Sequence, residues 1–154
     1  MKSTNSLFSF IPESNIGLFV GRDSELGALR KAILVDKKKL VAISGNNATG
    51  KTSLWNTFLK QNREVFDNKV EIIYSYHSRN DFPEISNKTE LVIIEDLSFE
   101  FNDILKQRIN DYISKYSTKQ FIIVGAYQDK LSEFKPNEHI HLSSLESNES
   151  SILL

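Results

Sequence analysis

The sequence predicts an α/β fold: a parallel five-stranded sheet with helices on both faces. Three observations point there. Short, β-branched apolar runs alternate with segments of helical period. The runs lack polar alternation, as expected of strands covered on both sides. One run also enters a glycine-bounded loop that opens a helix.

Residues 1–16 are polar with scattered aromatics and no period, and read as a loosely ordered lead-in to a core over 17–154. A first helix is expected from Asp23 or Ser24 as cap, with Leu26, Leu29, Ile33 and Leu34 inward. Lys37, Lys38 and Lys39 read as a solvated turn. The first strand is Leu40–Ile43, and a helix follows from Lys51 to about Gln61, with Leu54, Phe58 and Leu59 inward. Val70–Tyr74 is a second strand. Residues 77–90, with Pro83, read as loop. Leu91–Ile94 is the third strand. Phe101, Ile104, Leu105, Ile109, Tyr112 and Ile113 give a helix across 99–116. Phe121–Val124 is the fourth strand, 129–134 a short helix stopped before Pro136, and 139–142 the fifth strand. From Ser144 a further helix is expected to begin.

Composition excludes several classes. The 154 residues suit one domain with a sizeable core. There is no Cys, so disulfide scaffolds, thiolate zinc sites and cysteine nucleophiles are ruled out. Nineteen Lys+Arg against 20 Asp+Glu leave a net charge of −1, which argues against a nucleic-acid-coating protein. No apolar run approaches the ~20 residues of a membrane span. The N-terminal patch of Phe8, Phe10 and Ile11 is too short and interrupted for a signal peptide. A cytoplasmic protein is expected.

The strongest motif is Gly45-Asn46-Asn47-Ala48-Thr49-Gly50-Lys51-Thr52, which fits GxxxxGK[ST] at every defined position. Glycines let the backbone wrap a phosphate with its N–H groups inward, and the helix N-terminus adds partial positive charge. Lys51 would place an ammonium on the β- and γ-phosphates, and Thr52 would offer a hydroxyl to Mg²⁺. The phosphate-binding stretch is taken as Gly45 through Thr52 with Ser53.

The third strand ends in two carboxylates, Glu95 and Asp96. In an open parallel sheet the ligand sits outside the strand tips. Glu95, nearer the strand interior, is expected in the Mg²⁺ shell. Asp96 is expected to orient the attacking water, with Lys51 as the other catalytic group.

Phe19-Val20-Gly21-Arg22-Asp23-Ser24-Glu25-Leu26, followed by helix, strand and GxxxxGKT, resembles the opening of AAA-type and STAND-type P-loop ATPases, including origin-recognition and archaeal ATPases. The resemblance implies a P-loop NTPase core that binds ATP and Mg²⁺, with the backbone around Val20, Gly21 and Arg22 holding adenine. It also implies a helical lid that this chain lacks or truncates at its end, and partners in the form of other copies, a lid or effector domain, or DNA. Two departures stand out: Glu95 replaces the family's usual Asp, and Gln128 is the only polar sensor candidate near the fourth strand's end.

Other readings stay open beside this one. One is a nucleotide-gated switch with negligible turnover. Another is a GTPase, although Ala126-Tyr127-Gln128-Asp129 keeps only Asp129 of the guanine-reading NKxD pattern. His139 and His141 share a strand face and could grip a metal, with half-buried histidines as the plainer reading. Trp55 and Phe58 read as core.

Overall fold

The computed structural model describes residues 22–46, 49–74, 82–95, 97 and 103–143. The lead-in and the expected helix from Ser144 lie outside the described residues.

Helix α1 (Asp23–Arg30) passes into a π-helical turn, Lys31–Val35. Its N-cap position is Arg22, not Asp23 or Ser24, and no side chain caps it. The Ser24 hydroxyl bonds Glu25 instead, and Glu25 reaches back to Arg22 at 3.6 Å. The widened last turn closes with Asp36 N–H on the Lys31 carbonyl, and Lys37, at φ 52°, ends the helix in left-handed conformation. Leu29, Ala32 and Ile33 are buried.

Strand β1 (Leu40–Gly45) is buried along its whole length. Helix α2 (Lys51–Gln61) follows, then a one-turn helix α3 (Arg63–Phe66) that periodicity did not anticipate. Its Phe66 packs on Phe58, ring centroids 5.5 Å apart. Strands β2 (Val70–Tyr74) and β3 (Leu91–Glu95) come next. Helix α4 (Asp103–Lys115) presents Ile109, Tyr112 and Ile113 inward, while Ile104, expected inward, is 74% exposed. Strand β4 (Gln120–Gly125), helix α5 (Gln128–Ser132) and strand β5 (Glu138–Leu142) complete the described residues.

All five strands are parallel, in the order β2-β3-β4-β1-β5. Parallel neighbours need crossover connections, and helices follow β1, β3 and β4, whereas the described residues 82–90 before β3 hold none. Strand parity sorts the core. Val41, Ile43, Leu91, Ile93, Ile122, Val124, Ile140 and Leu142 face α1 and α2. Leu40, Ala42, Val92, Ile94, Phe121 and Ile123 face α4 and α5. Each such buried aliphatic or aromatic side chain contributes about 1.5–3 kcal/mol. The doubly covered strands therefore form the firmest part of the fold.

The lysine run divides. Lys37 is exposed, but Lys39 donates from Nζ to the carbonyls of Tyr116 (2.6 Å) and Lys119 (2.7 Å) and lies over the Phe121 ring. It thus closes the carbonyl end of α4 rather than facing solvent, as cations at helix C-termini do. Burial pushes its ammonium pKa down.

Strand order sets the site. Strand β4 lies between β1 and β3, so the ends of those two strands are about 10 Å apart. Helix α2 rises from β1 and packs over β1 and β4, which carries its first turns toward the tip of β3.

Candidate functional site

The loop after β1 is tight. A Cβ on Gly45 would come within 2.6 Å of Thr49 Oγ1 and 2.8 Å of the Leu142 carbonyl on neighbouring β5. Gly50 has φ +92° and opens α2 without a side-chain cap, so among the described residues no side chain caps the helix's first N–H groups. Such a helix start favours an anion.

The Asn46 carbonyl is the hub of this loop. It accepts from Thr49 N–H (3.2 Å), Thr49 Oγ1 (2.7 Å) and Lys51 Nζ (3.0 Å). Lys51 Nζ also donates to the Gly45 carbonyl at 2.6 Å, so its ammonium lies folded over the loop. The half-buried Ser53 follows Thr52 in the first turn of α2.

Thr52 Oγ1 donates to Glu95 Oε2 at 2.9 Å. Glu95 ends β3 and is 6% exposed. Being odd-numbered on β3, it points to the α2 face with Leu91 and Ile93. Parity thus makes Glu95 a partner of α2. Trp55, read from the sequence as core, is fully buried and also bonds the same oxygen, its Nε1–H 2.6 Å from Glu95 Oε2. Spacing could have revealed it: Thr52 and Trp55 stand three apart and share a helix face.

Arg22 contributes through its side chain. It is 4% exposed and donates from one guanidinium nitrogen to the Thr49 carbonyl (3.2 Å) and the Ser143 carbonyl (2.5 Å). It therefore ties the start of α1 and the phosphate loop to the segment leaving β5. Val20, Gly21, Asn47, Ala48 and Asp96 lie outside the described residues. Gln128 is the exposed first residue of α5.

The opposite sheet face holds a relay that spacing hinted at only through the paired histidines. Ser44 Oγ, fully buried, lies 2.8 Å from His139 Nε2 and 2.8 Å from His141 Nδ1. One hydroxyl has one proton, so one imidazole nitrogen must donate to it. Ser132 already donates to the Gln128 carbonyl and meets His139 Nδ1 at 3.4 Å. This pattern fits the tautomer in which His139 Nδ1 carries the proton and Nε2 accepts from Ser44. Burial, and then the charge of His141, pushes the His139 pKa down. Among the described residues no third His, Cys, Asp or Glu joins them to hold a metal.

The residues around Thr52 fit a hard divalent cation. A hydroxyl and a carboxylate are the oxygen donors that Mg²⁺ prefers, and here they meet at the start of α2. No helix among the described residues is long and apolar enough to cross a membrane.

No protein-family model matches the sequence, and no curated protein matches it either. Solved structures give the following likenesses. The crystal structure of Cdc6p from Pyrobaculum aerophilum superposes with a TM-score of 0.61 at 13% identity, over 90% of this chain and 48% of Cdc6p. The structure of PCH-2 from C. elegans gives a TM-score of 0.47 at 15% identity, over 92% of this chain and 46% of that one. This chain thus spans about half the length of Cdc6p. What the likeness to Cdc6p establishes is the architecture: a five-stranded parallel α/β sheet with helices.

Proposed function

We propose that this chain is the ATP- and Mg²⁺-binding core of a P-loop ATPase of the AAA/STAND type, hydrolysing ATP to drive a conformational or assembly switch. One observation carries the proposal: Thr52 and Glu95, from different elements, meet at 2.9 Å beside the glycine loop. In this reading the loop N–H groups and the start of α2 receive phosphate oxygens, and Lys51 turns from its carbonyls to the β- and γ-phosphates. Thr52 and Glu95 are the residues that would hold Mg²⁺. When bound, the cation supplies positive charge where the phosphoryl oxygens become more negative. Asp96 orients the attacking water, and the segment Val20-Gly21-Arg22 receives adenine. A lid or effector domain, further copies of the chain, or DNA would act on the result, and the site would work in the cytoplasm.

A second reading is a nucleotide-gated switch with negligible turnover. The Arg22 contacts favour it, because they tie the phosphate loop directly to the segment beyond β5. Phosphate released per bound nucleotide separates the two.

Calorimetry of ATP, GTP and ATP with EDTA tests the binding claim. Lys51→Ala removes a charge-assisted contact worth about 1.5–3 kcal/mol, so ATP affinity should fall at least about tenfold with the fold intact. Unchanged affinity, or tighter GTP than ATP, would sink the assignment.

A further inference from the structure

We infer that Trp55 is a positioning residue that sets the Glu95 carboxylate for the divalent cation, a role that rests on the proposed reading of Thr52 and Glu95 as the cation-holding pair. Trp55 is the only tryptophan in the chain and is fully buried. Core packing alone would be served by phenylalanine; what the indole adds is its N–H. That N–H is spent on Glu95 Oε2 at 2.6 Å, a short bond from a neutral donor to a carboxylate.

A glutamate at a strand tip has more side-chain freedom than an aspartate, and ordering it costs entropy. Thr52 cannot hold it alone, because a hydroxyl turns freely about its own bond and is itself needed at the cation. The indole cannot turn in a close-packed interior. Two donors three residues apart on one helix, Thr52 Oγ1 and Trp55 Nε1, converge on one carboxylate oxygen. They fix the carboxylate relative to α2, and hence to the loop that α2 follows. With its proton directed at Glu95, the Thr52 hydroxyl keeps its lone pairs for a cation. The arrangement explains how a glutamate serves at this strand end: the longer side chain reaches across toward α2, and the indole removes the slack.

The test is a Mg²⁺ titration of the full chain at saturating ATP, with ATP in EDTA as the reference, in wild type and Trp55→Phe. Partners that orient a metal ligand typically cost 10- to 100-fold in metal affinity when removed. Trp55→Phe should therefore raise the Mg²⁺ concentration for half-effect about 10- to 100-fold, with ATP affinity in EDTA unchanged. Phe58→Leu, which disturbs the same core without touching Glu95, should keep the wild-type Mg²⁺ dependence. Trp55→Phe with wild-type Mg²⁺ dependence would overturn the inference, and so would Phe58→Leu losing it equally.

Should Trp55→Phe fail to fold, the wild-type protein decides. Its single indole N–H resonance should move when Mg²⁺ is added to the ATP-loaded chain, and should not do so in Glu95→Gln. A resonance indifferent to Mg²⁺ refutes the role. Absence of any ATP binding by the wild type would instead refute the underlying functional reading, and the inference with it.

Discussion

Two glycines bound the candidate phosphate loop for different physical reasons, and substitution should separate them. At Gly45 the difficulty is space. An added Cβ would sit 2.8 Å from the Leu142 carbonyl and 3.1 Å from Leu142 Cβ, on a strand hydrogen-bonded to β1 in that register. Thr49 Oγ1, at 2.6 Å, can rotate away at the cost of its bond to Asn46. The Leu142 carbonyl belongs to the sheet and can retreat only if β1 and β5 part. Overpacking of this kind costs about 1–3 kcal/mol. In a chain of this size each kcal/mol moves the melting point by about 2–4 °C. Gly45→Ala should therefore melt about 2–12 °C lower, with nucleotide affinity lost in parallel as the loop shifts.

At Gly50 nothing lies within 4 Å of the added atom, and the difficulty is φ +92°. Alanine in the left-handed region costs about 1–2 kcal/mol, whereas asparagine enters it more readily. Gly50→Asn should recover much of what Gly50→Ala loses, while Gly45→Asn should be worse than Gly45→Ala. Thermal melts of the four variants decide. Equal rescue by asparagine at both positions would refute the division into space and handedness.

Two further predictions concern charge. Glu95→Gln should weaken Mg²⁺-dependent ATP binding, whereas Asp96→Asn should leave ATP bound and slow phosphate release about 10²–10⁴-fold; equal effects of both on binding would remove the distinction of roles. His139 has a folded-state pKa below its ordinary 6.5, so the folded chain binds fewer protons there than the unfolded one. Stability should be fully present above about pH 6.5 and decline as pH falls through the lowered value. Urea midpoints compared between about pH 7.5 and about pH 5.5 should drop less in His139→Asn than in wild type, and an equal drop would show that the relay does not titrate as described.

Much of the molecule was legible because its signals are local. The apolar runs at 40–43, 91–94 and 121–124 became strands because residues buried on both sides leave no polar alternation, and the GxxxxGK[ST] spacing sits between β1 and α2 as expected. The misses have long-range causes. Ser24 did not cap α1, because Arg22 occupies the cap position and is held by Thr49 and Ser143, residues distant in sequence. Ile104 matched the helical period yet is exposed, since periodicity cannot say where a sheet stops covering a helix. Lys39 looked like part of a solvated run, but its partners lie 77 and 80 residues away.

By itself the sequence determined the fold class and the candidate phosphate loop, because hydrophobic period and glycine spacing act over a few residues of chain. Only the tertiary structure decided the strand order, which puts β4 between the loop strand and the acidic strand. It alone brought Glu95 to Thr52, joined Trp55 to Glu95, and assembled Ser44 with His139 and His141. These pairings span 40 to 97 residues of chain. They depend on which strands lie side by side and which face each residue takes, and no local propensity records either.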